Sequence, residues 1–224
     1  KKILLKIKRK TFSFENEILE KEIDKSKISG LRSKGFFIDI GTPGYLKIAK
    51  KKIPKILQKK SAFFDRDGVI NYDLGYVHKF KDFKLKPNVL NTLRYLMKKN
   101  FYIFIVTNQA GIAKKIFTIN EFIELNQKLK KYFAGKKIYF DRIEFCPYHE
   151  NATDIRYKKK TNLRKPGNGM IKNILKDFYI NKNKSFAIGD KISDQKAFKK
   201  SNIYFEYPKK NFLKQIKRIV NNVI

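Results

Sequence analysis

The stretch SAFFDRDGVIN (residues 61–71) decides the fold. A short apolar run ends on Asp65, an arginine follows, a second aspartate comes next, and then a glycine. The run is too short for a core helix and is rich in phenylalanine, which reads as a buried strand. Asp and Gly are turn residues, and a strand has to end somewhere. Yet two carboxylates this close repel and raise each other's affinity for protons. Whether they serve a turn or a reaction depends on what ends the other strands.

Four further short runs share the pattern: YIFIVT (102–107), RIEFC (142–146), SFAIG (185–189) and NIYFEY (202–207). Between them, 87–100, 119–133 and 168–178 carry apolar residues at helical spacing, with Pro87 and Glu121 where helix starts favour them. Strands alternating with helices predict an α/β fold with a mostly parallel sheet. In such sheets the working crevice lies beyond the carboxyl ends of the strands. The first strand is followed by Asp65 and Asp67, the second by Thr107, Asn108 and Gln109, the third by Cys146 and His149, the fourth by Asp190 and Asp194. Arg164 and Lys165 precede a helix. A turn explanation would have to be invoked afresh at each strand end.

The chain has 224 residues, 42% of them hydrophobic, which suffices for one good core or one domain with part of another. Its single cysteine, Cys146, excludes an internal disulfide and suits a reducing, cytoplasmic setting. No apolar run approaches the roughly 18 residues of a membrane span. The basic start KKILLKIKRK lacks the apolar core and cleavage site of a signal peptide, and without an initiator Met the chain is expected to begin inside a longer protein. The net charge is +33, but the lysines are spread along the whole chain, as a compositional bias would spread them. A nucleic-acid footprint should cluster, so nucleic acid is not the expected partner. The field still draws anionic substrates and makes catalysis salt-sensitive.

The convergent groups suit phosphoryl transfer. Carboxylates from two strand ends make a hard, oxygen-rich site fit for Mg²⁺. A hydroxyl and a Lys/Arg pair can hold phosphoryl oxygens. One carboxylate can attack phosphorus and its neighbour can move the proton.

DRDGVIN (65–71), VTNQAG (106–111), RKP (164–166) and GDKISD (189–194) together resemble the four ordered motifs of haloacid-dehalogenase (HAD) phosphatases. DLGYVHKFKDF (73–83), TNQAGIA (107–113), CPYH (146–149) and RKPGNGM (164–170) are similar to the heptose-1,7-bisphosphate 7-phosphatase family, with histidinol-phosphate phosphatase as a relative. The resemblance spans about 61–207 and implies a Rossmann-like parallel sheet. It implies Asp65 as nucleophile and Asp67 as general acid/base. Asp65, the Asp67 carbonyl and Asp190 would ligate Mg²⁺, and Thr107 and Lys165 would bind the transferring phosphoryl group with Arg164 beside it. Arg66, Asp73, Gly75, Tyr76, Asn108, Gln109, Ala110 and Lys191 fall at substrate-contacting positions, and Asp194 would orient Lys165 or a metal-bound water. Only about forty residues separate Asp65 from Thr107, too few for a cap domain, so loops 73–80, 111–118 and 146–163 must set specificity for a small sugar phosphate.

The family usually carries a structural zinc on Cys-x-His and Cys-x-Cys. Here the first pair reads Cys146-Pro147-Tyr148 with His149 one place late, and the second reads Thr161-Asn162-Leu163. A four-coordinate thiolate/imidazole site cannot form from these, so no zinc is expected and loop 150–163 should be looser or held by packing. The family's Arg-Gly after Gly-Ile-Ala is Lys114-Lys115.

Residues 1–58 are expected to form a separate segment before a phosphatase domain at 59–224. FSFENEIL (12–19) and GFFIDIGTPGYLKIAKK (35–51) resemble the C-terminal end of sugar-phosphate nucleotidyltransferases, where the position of Asp39 is a metal ligand. The family's Gly-rich nucleotide loop is absent, so this segment is expected to be a remnant of a fusion, without activity of its own. Three readings remain open: a sugar-bisphosphate phosphatase, the same chemistry on histidinol phosphate or a nucleic-acid 3′ end, and a non-catalytic scaffold.

Overall fold

The computed structural model describes residues 13–23, 30–31 and 35–224; the basic stretch 1–10 lies outside them. Two compact units separate at Ala49/Lys50. In the first, a helical turn over Glu15–Leu19 runs into helix α1 (Glu20–Ile23). Asp39 is exposed, and its Oδ1 accepts from Gly41 N at 2.8 Å just before helix α2 (Pro43–Ile56), which crosses the boundary.

The second unit is a five-stranded parallel sheet of order β3-β2-β1-β4-β5. Its strands are β1 (Ser61–Phe64), β2 (Tyr102–Asn108), β3 (Arg142–Cys146), β4 (Phe186–Ile188) and β5 (Tyr204–Glu206). Four of them lie inside the runs named from sequence, and β2 runs one residue past its run, to Asn108. β1 and β2 are in register from Ser61↔Tyr102 to Phe64↔Ile105, and β1 and β4 from Ala62↔Phe186 to Phe64↔Ile188.

Side chains alternate across a strand, and that alternation builds two cores. Ala62, Phe64, Ile103, Ile105, Phe186 and Ile188 face one layer, made by α3 (Val89–Lys98), α5 (Ile119–Ala134) and α8 (Phe212–Asn222). Phe63, Phe104, Val106 and Ala187 face the other, made by α6 (Gly169–Asp177) and α7 (Ile192–Lys199). The central strands are thus covered on both faces, as a parallel sheet requires.

Helix α5 starts where Glu121 predicts, closed by a reciprocal bond pair in which Thr118 Oγ1 accepts from Glu121 N and Glu121 Oε2 accepts from Thr118 N. Pro87 lies two residues before α3, whose N-cap is Asn88 in the left-handed region. Helices α7 and α8 were not expected from spacing, although α8 buries Phe212, Ile216, Ile219 and Val220 at helical intervals.

Phe104 sits at the centre of the second core, fully buried, with ring centroids 5.0 Å from both Phe63 and Phe178. Phe104→Ala should cost about 3–5 kcal/mol in urea unfolding. A loss below about 1 kcal/mol would show that this core does not carry the sheet.

Candidate active site

The carboxyl ends of β1, β2 and β4 open on one cleft of about 440 Å³. Its walls include Asp65, Asp67, Thr107, Lys165 and Asp194, with Asp73, Gly75, Tyr76, Asn108, Gln109, Ala110, Arg164 and Lys191 around them. Lys114, His149 and Ser193 line it as well.

Lys165 is the centre of the site. It is 3% exposed, and Nζ lies 2.9 Å from Asp65 Oδ1, 2.5 Å from Asp194 Oδ1 and 2.7 Å from the Val106 carbonyl. Burial alone would pull its pKa down, but the two carboxylates outweigh that and hold it above the usual lysine value. Asp65 Oδ1 also accepts from Arg66 N at 2.8 Å. Burial pushes the Asp65 carboxyl up, and the charge of Asp194 adds to the push while Lys165 opposes it. Asp194 is fully buried; its Oδ2 accepts from Lys191 N at 2.9 Å and so closes the start of α7.

Asp67 belongs to a second network. Its carboxylate accepts from Arg66 Nη2 at 2.8 Å, Asn71 Nδ2 at 2.8 Å and Gln109 Nε2 at 3.2 Å. Gln109 Nε2 also donates to Thr107 Oγ1 at 2.9 Å, tying the general acid/base candidate to the phosphoryl-binding candidate.

Two residues depart from their expected roles. Arg66 was placed at the substrate, but its side chain is 1% exposed and turns inward. It holds Asp67, donates to the Val77 carbonyl at 2.7 Å and lies over the Phe122 ring. A guanidinium that has left water needs such partners, so Arg66 is a positioning residue for Asp67. Asn108 lines the cleft, but its amide is spent on Lys165: Nδ2 donates to the Lys165 carbonyl and Oδ1 accepts from Lys165 N, both at 3.0 Å.

Oxygen atoms of Asp65, Asp190 and Asp194 lie within 4.8 Å of one another. Asp190 Oδ1 is buried without a hydrogen-bond partner. Gly68 (φ +84°) lets the backbone pass so close to Asp190 that a Cβ there would fall 2.2 Å from Oδ2. An orphaned carboxylate oxygen beside a second carboxylate, in a pocket only glycine permits, is a donor set that fits a hard divalent cation such as Mg²⁺. Asp194 is already committed to Lys165 and Lys191, which leaves Asp65 and Asp190 as the side chains for the metal.

The segment that departs from the zinc pattern is closed by its own bonds. Cys146 is buried, with Sγ facing the Tyr148 carbonyl. His149 Nδ1 accepts from Asn151 N at 3.0 Å, and His149 N donates to the Tyr157 carbonyl at 3.1 Å. Asn162 Oδ1 accepts from Asn168 N at 3.2 Å. Tyr157 packs on the Ile112–Phe117–Phe122 cluster. The loop is held by packing and turn bonds.

Burial, and then the charge of Asp65, push the Asp190 carboxyl up from 3.8 to about 6. A group raised in the folded state adds stability below its unfolded pKa and loses it as pH rises through the folded value. The metal-free protein should therefore lose stability from this group between about pH 4 and 6. Mg²⁺ should raise Tm clearly at about pH 7.5 and little at about pH 5. Asp190→Asn should flatten that difference in differential scanning fluorimetry; an equal Mg²⁺ effect in the variant would remove Asp190 from the metal site.

Residues 60–217 match the family model described as polynucleotide kinase 3 phosphatase. The chain is 39% identical over 137 residues to D-glycero-beta-D-manno-heptose-1,7-bisphosphate 7-phosphatase of Photorhabdus laumondii, covering 61% of this chain and 73% of that one. The protein of the same name from Haemophilus influenzae is 37% identical over 138 residues, covering 62% and 74%. Among solved structures, D,D-heptose 1,7-bisphosphate phosphatase from B. bronchiseptica, complexed with magnesium and phosphate, shares the fold at TM-score 0.61 and 22% identity, covering 70% of this chain and 85% of that one. The chain is thus a HAD-type phosphatase of the polynucleotide kinase 3 phosphatase family, alongside the heptose-bisphosphate 7-phosphatases.

Proposed function

We propose that the protein is a Mg²⁺-dependent phosphatase that removes the 7-phosphate of D-glycero-D-manno-heptose 1,7-bisphosphate through an aspartyl-phosphate. The observation that carries this is the buried Lys165 ammonium seated between Asp65 and Asp194 in the wall of a small, capless cleft, in a chain whose named relatives act on that ester.

The chemistry follows from the two networks. Both protein contacts to the Asp65 carboxylate fall on Oδ1, which leaves Oδ2 to face phosphorus. Oδ2 attacks, the bond from phosphorus to the sugar oxygen breaks, and Asp67 gives that oxygen a proton. Asp67 then takes a proton from water, the water oxygen bonds to phosphorus, and the bond to Asp65 breaks to release phosphate. Thr107 and Lys165 hold the phosphoryl oxygens throughout. Gln109 and Arg66 keep the Asp67 carboxylate aimed. Asp65, Asp190 and the Asp67 carbonyl would hold Mg²⁺, which would supply positive charge to offset the carboxylates and the phosphoryl oxygens.

At the rim, Lys191 Nζ pairs with Asp73 Oδ2 at 3.2 Å. With Gly75 and Tyr76, both at positive φ, this loop contacts the sugar. Residues 1–58 are read as the nucleotidyltransferase remnant of a fusion partner, joined to the phosphatase domain at 59–224. Support comes from the FFIDIGTPGYLKIA stretch around Asp39, and no activity is assigned to it. Among the described residues no helix is long and apolar enough to cross a membrane. With the lone reduced cysteine, this favours a cytoplasmic enzyme.

Asp65→Asn should lower phosphate release from heptose 1,7-bisphosphate by at least about 10³-fold while the circular dichroism spectrum stays that of the parent. Parental turnover in this variant would refute Asp65 as nucleophile. Turnover of histidinol phosphate in place of the heptose would keep the mechanism and change the substrate.

A further inference from the structure

The loop that carries Asp73 and Tyr76 has little backbone support. Among the described residues no backbone–backbone hydrogen bond holds residues 73–78; the bonds on either side run from Tyr72 N to the Lys84 carbonyl and from Asp82 N to the Lys79 carbonyl. Gly75 and Tyr76 turn through positive φ, at +75° and +52°. A tyrosine keeps that conformation only where its surroundings enforce it. The shape of the loop therefore depends on side chains.

Two of the side-chain contacts lie at the surface. Lys191 Nζ meets Asp73 Oδ2 at 3.2 Å. Lys114, just after the short helix α4 (Ala110–Ala113), donates from Nζ to Tyr76 OH at 2.8 Å and lies 5.4 Å from that ring's centre. Exposed lysine contacts hold a chain weakly. Val77 is buried and its carbonyl accepts from Arg66, which fixes the base of the loop and not the turn before it.

His78 holds that turn. Its Nδ1 donates to the Tyr76 carbonyl at 2.8 Å. The same ring stacks on Phe117, 6° from parallel with centroids 5.0 Å apart. Phe117 belongs to the core: it is buried in the cluster with Ile112 and Phe122. It lies against the backbone of Gly111 in α4, where a Cβ would fall 2.1 Å from its Cε1. Helix α4 follows Gln109 directly, and Gln109 bonds both Asp67 and Thr107. One imidazole thus joins the Tyr76 turn to the segment that aims the reacting groups.

We propose that His78 is a positioning residue: stacked on Phe117, it holds the turn at Tyr76 in the shape that meets the sugar, so that recognition of the sugar phosphate is set by the docking of loop 73–80 on loop 111–118. The inference rests on the proposed contact between Tyr76 and the sugar and deepens it. His78 touches neither substrate nor metal and acts through Tyr76.

The first test needs no substrate. In ¹⁵N relaxation of the full chain, the order parameters of residues 73–76 should stand near about 0.85 in the parent, fall below about 0.6 in His78→Ala, and return in His78→Phe, which keeps a ring on Phe117. The second is a cycle on kcat/KM for heptose 1,7-bisphosphate. His78→Ala and Tyr76→Ala should each cost about tenfold, and the double variant should also cost only about tenfold, because one residue acts through the other. His78→Phe should recover to within about threefold of the parent. Unchanged order parameters in His78→Ala, parental turnover in that variant, or losses that multiply to about a hundredfold would overturn the inference. A loop freed in His78→Ala and restored in His78→Phe, in a parent that does not turn over the heptose, would reject the heptose and uphold the hold of His78 on the loop.

Discussion

Everything in the cleft is arranged around one buried ammonium. Lys165 Nζ meets Asp65 from the end of β1 and Asp194 from the start of α7, while its own backbone is clamped by Asn108 at the end of β2. Three buried charges in one place are tolerable only when they satisfy each other; removing one partner strands the rest, at a cost of about 3–5 kcal/mol. The ammonium therefore fixes how three sheet-edge segments meet. That coupling has a chemical result, because the same contact holds the nucleophile candidate still and leaves one of its oxygens free.

A second constraint is the inward turn of Arg66. Its guanidinium bridges the Asp67 carboxylate and the Val77 carbonyl, so the candidate proton-transfer group and the loop that carries Asp73 and Tyr76 share a support. Movement of that loop cannot leave Asp67 undisturbed. Gln109 extends the link to Thr107. The Asp65 and Asp67 side chains, two residues apart, sit in separate networks: Asp65 with lysine and the metal-fitting carboxylates, Asp67 with arginine and amides. The repulsion that makes the pair conspicuous in the sequence is answered twice, by different cations.

Much of this was legible beforehand because strand ends are local. Short apolar runs located all five strands, and Asp65, Asp67, Thr107, Asn108, Gln109 and Asp194, at or after the ends of β1, β2 and β4, do line one cleft. What the sequence hid depended on contacts far along the chain or on backbone turns. Arg66 follows a strand, where alternation no longer dictates direction, so nothing local says that it points inward. Asn108 meets Lys165 across 57 positions. Lys114 looks like one lysine among many, and only the approach of Tyr76 places it at the cleft. Helix α8 carried a readable stripe at Phe212, Ile216 and Ile219, whereas α7, with Asp194 and Gln195 in its first turn, carried almost none.

The central claim is that phosphorus is transferred first to Asp65 and then to water. Each displacement inverts the configuration at phosphorus, so the stereochemical course tests it most directly. Hydrolysis of the heptose bisphosphate bearing an isotopically chiral thiophosphoryl group at position 7, with the configuration of the released thiophosphate read by ³¹P NMR, should give net retention. Net inversion would mean a single direct attack by water and would contradict the account.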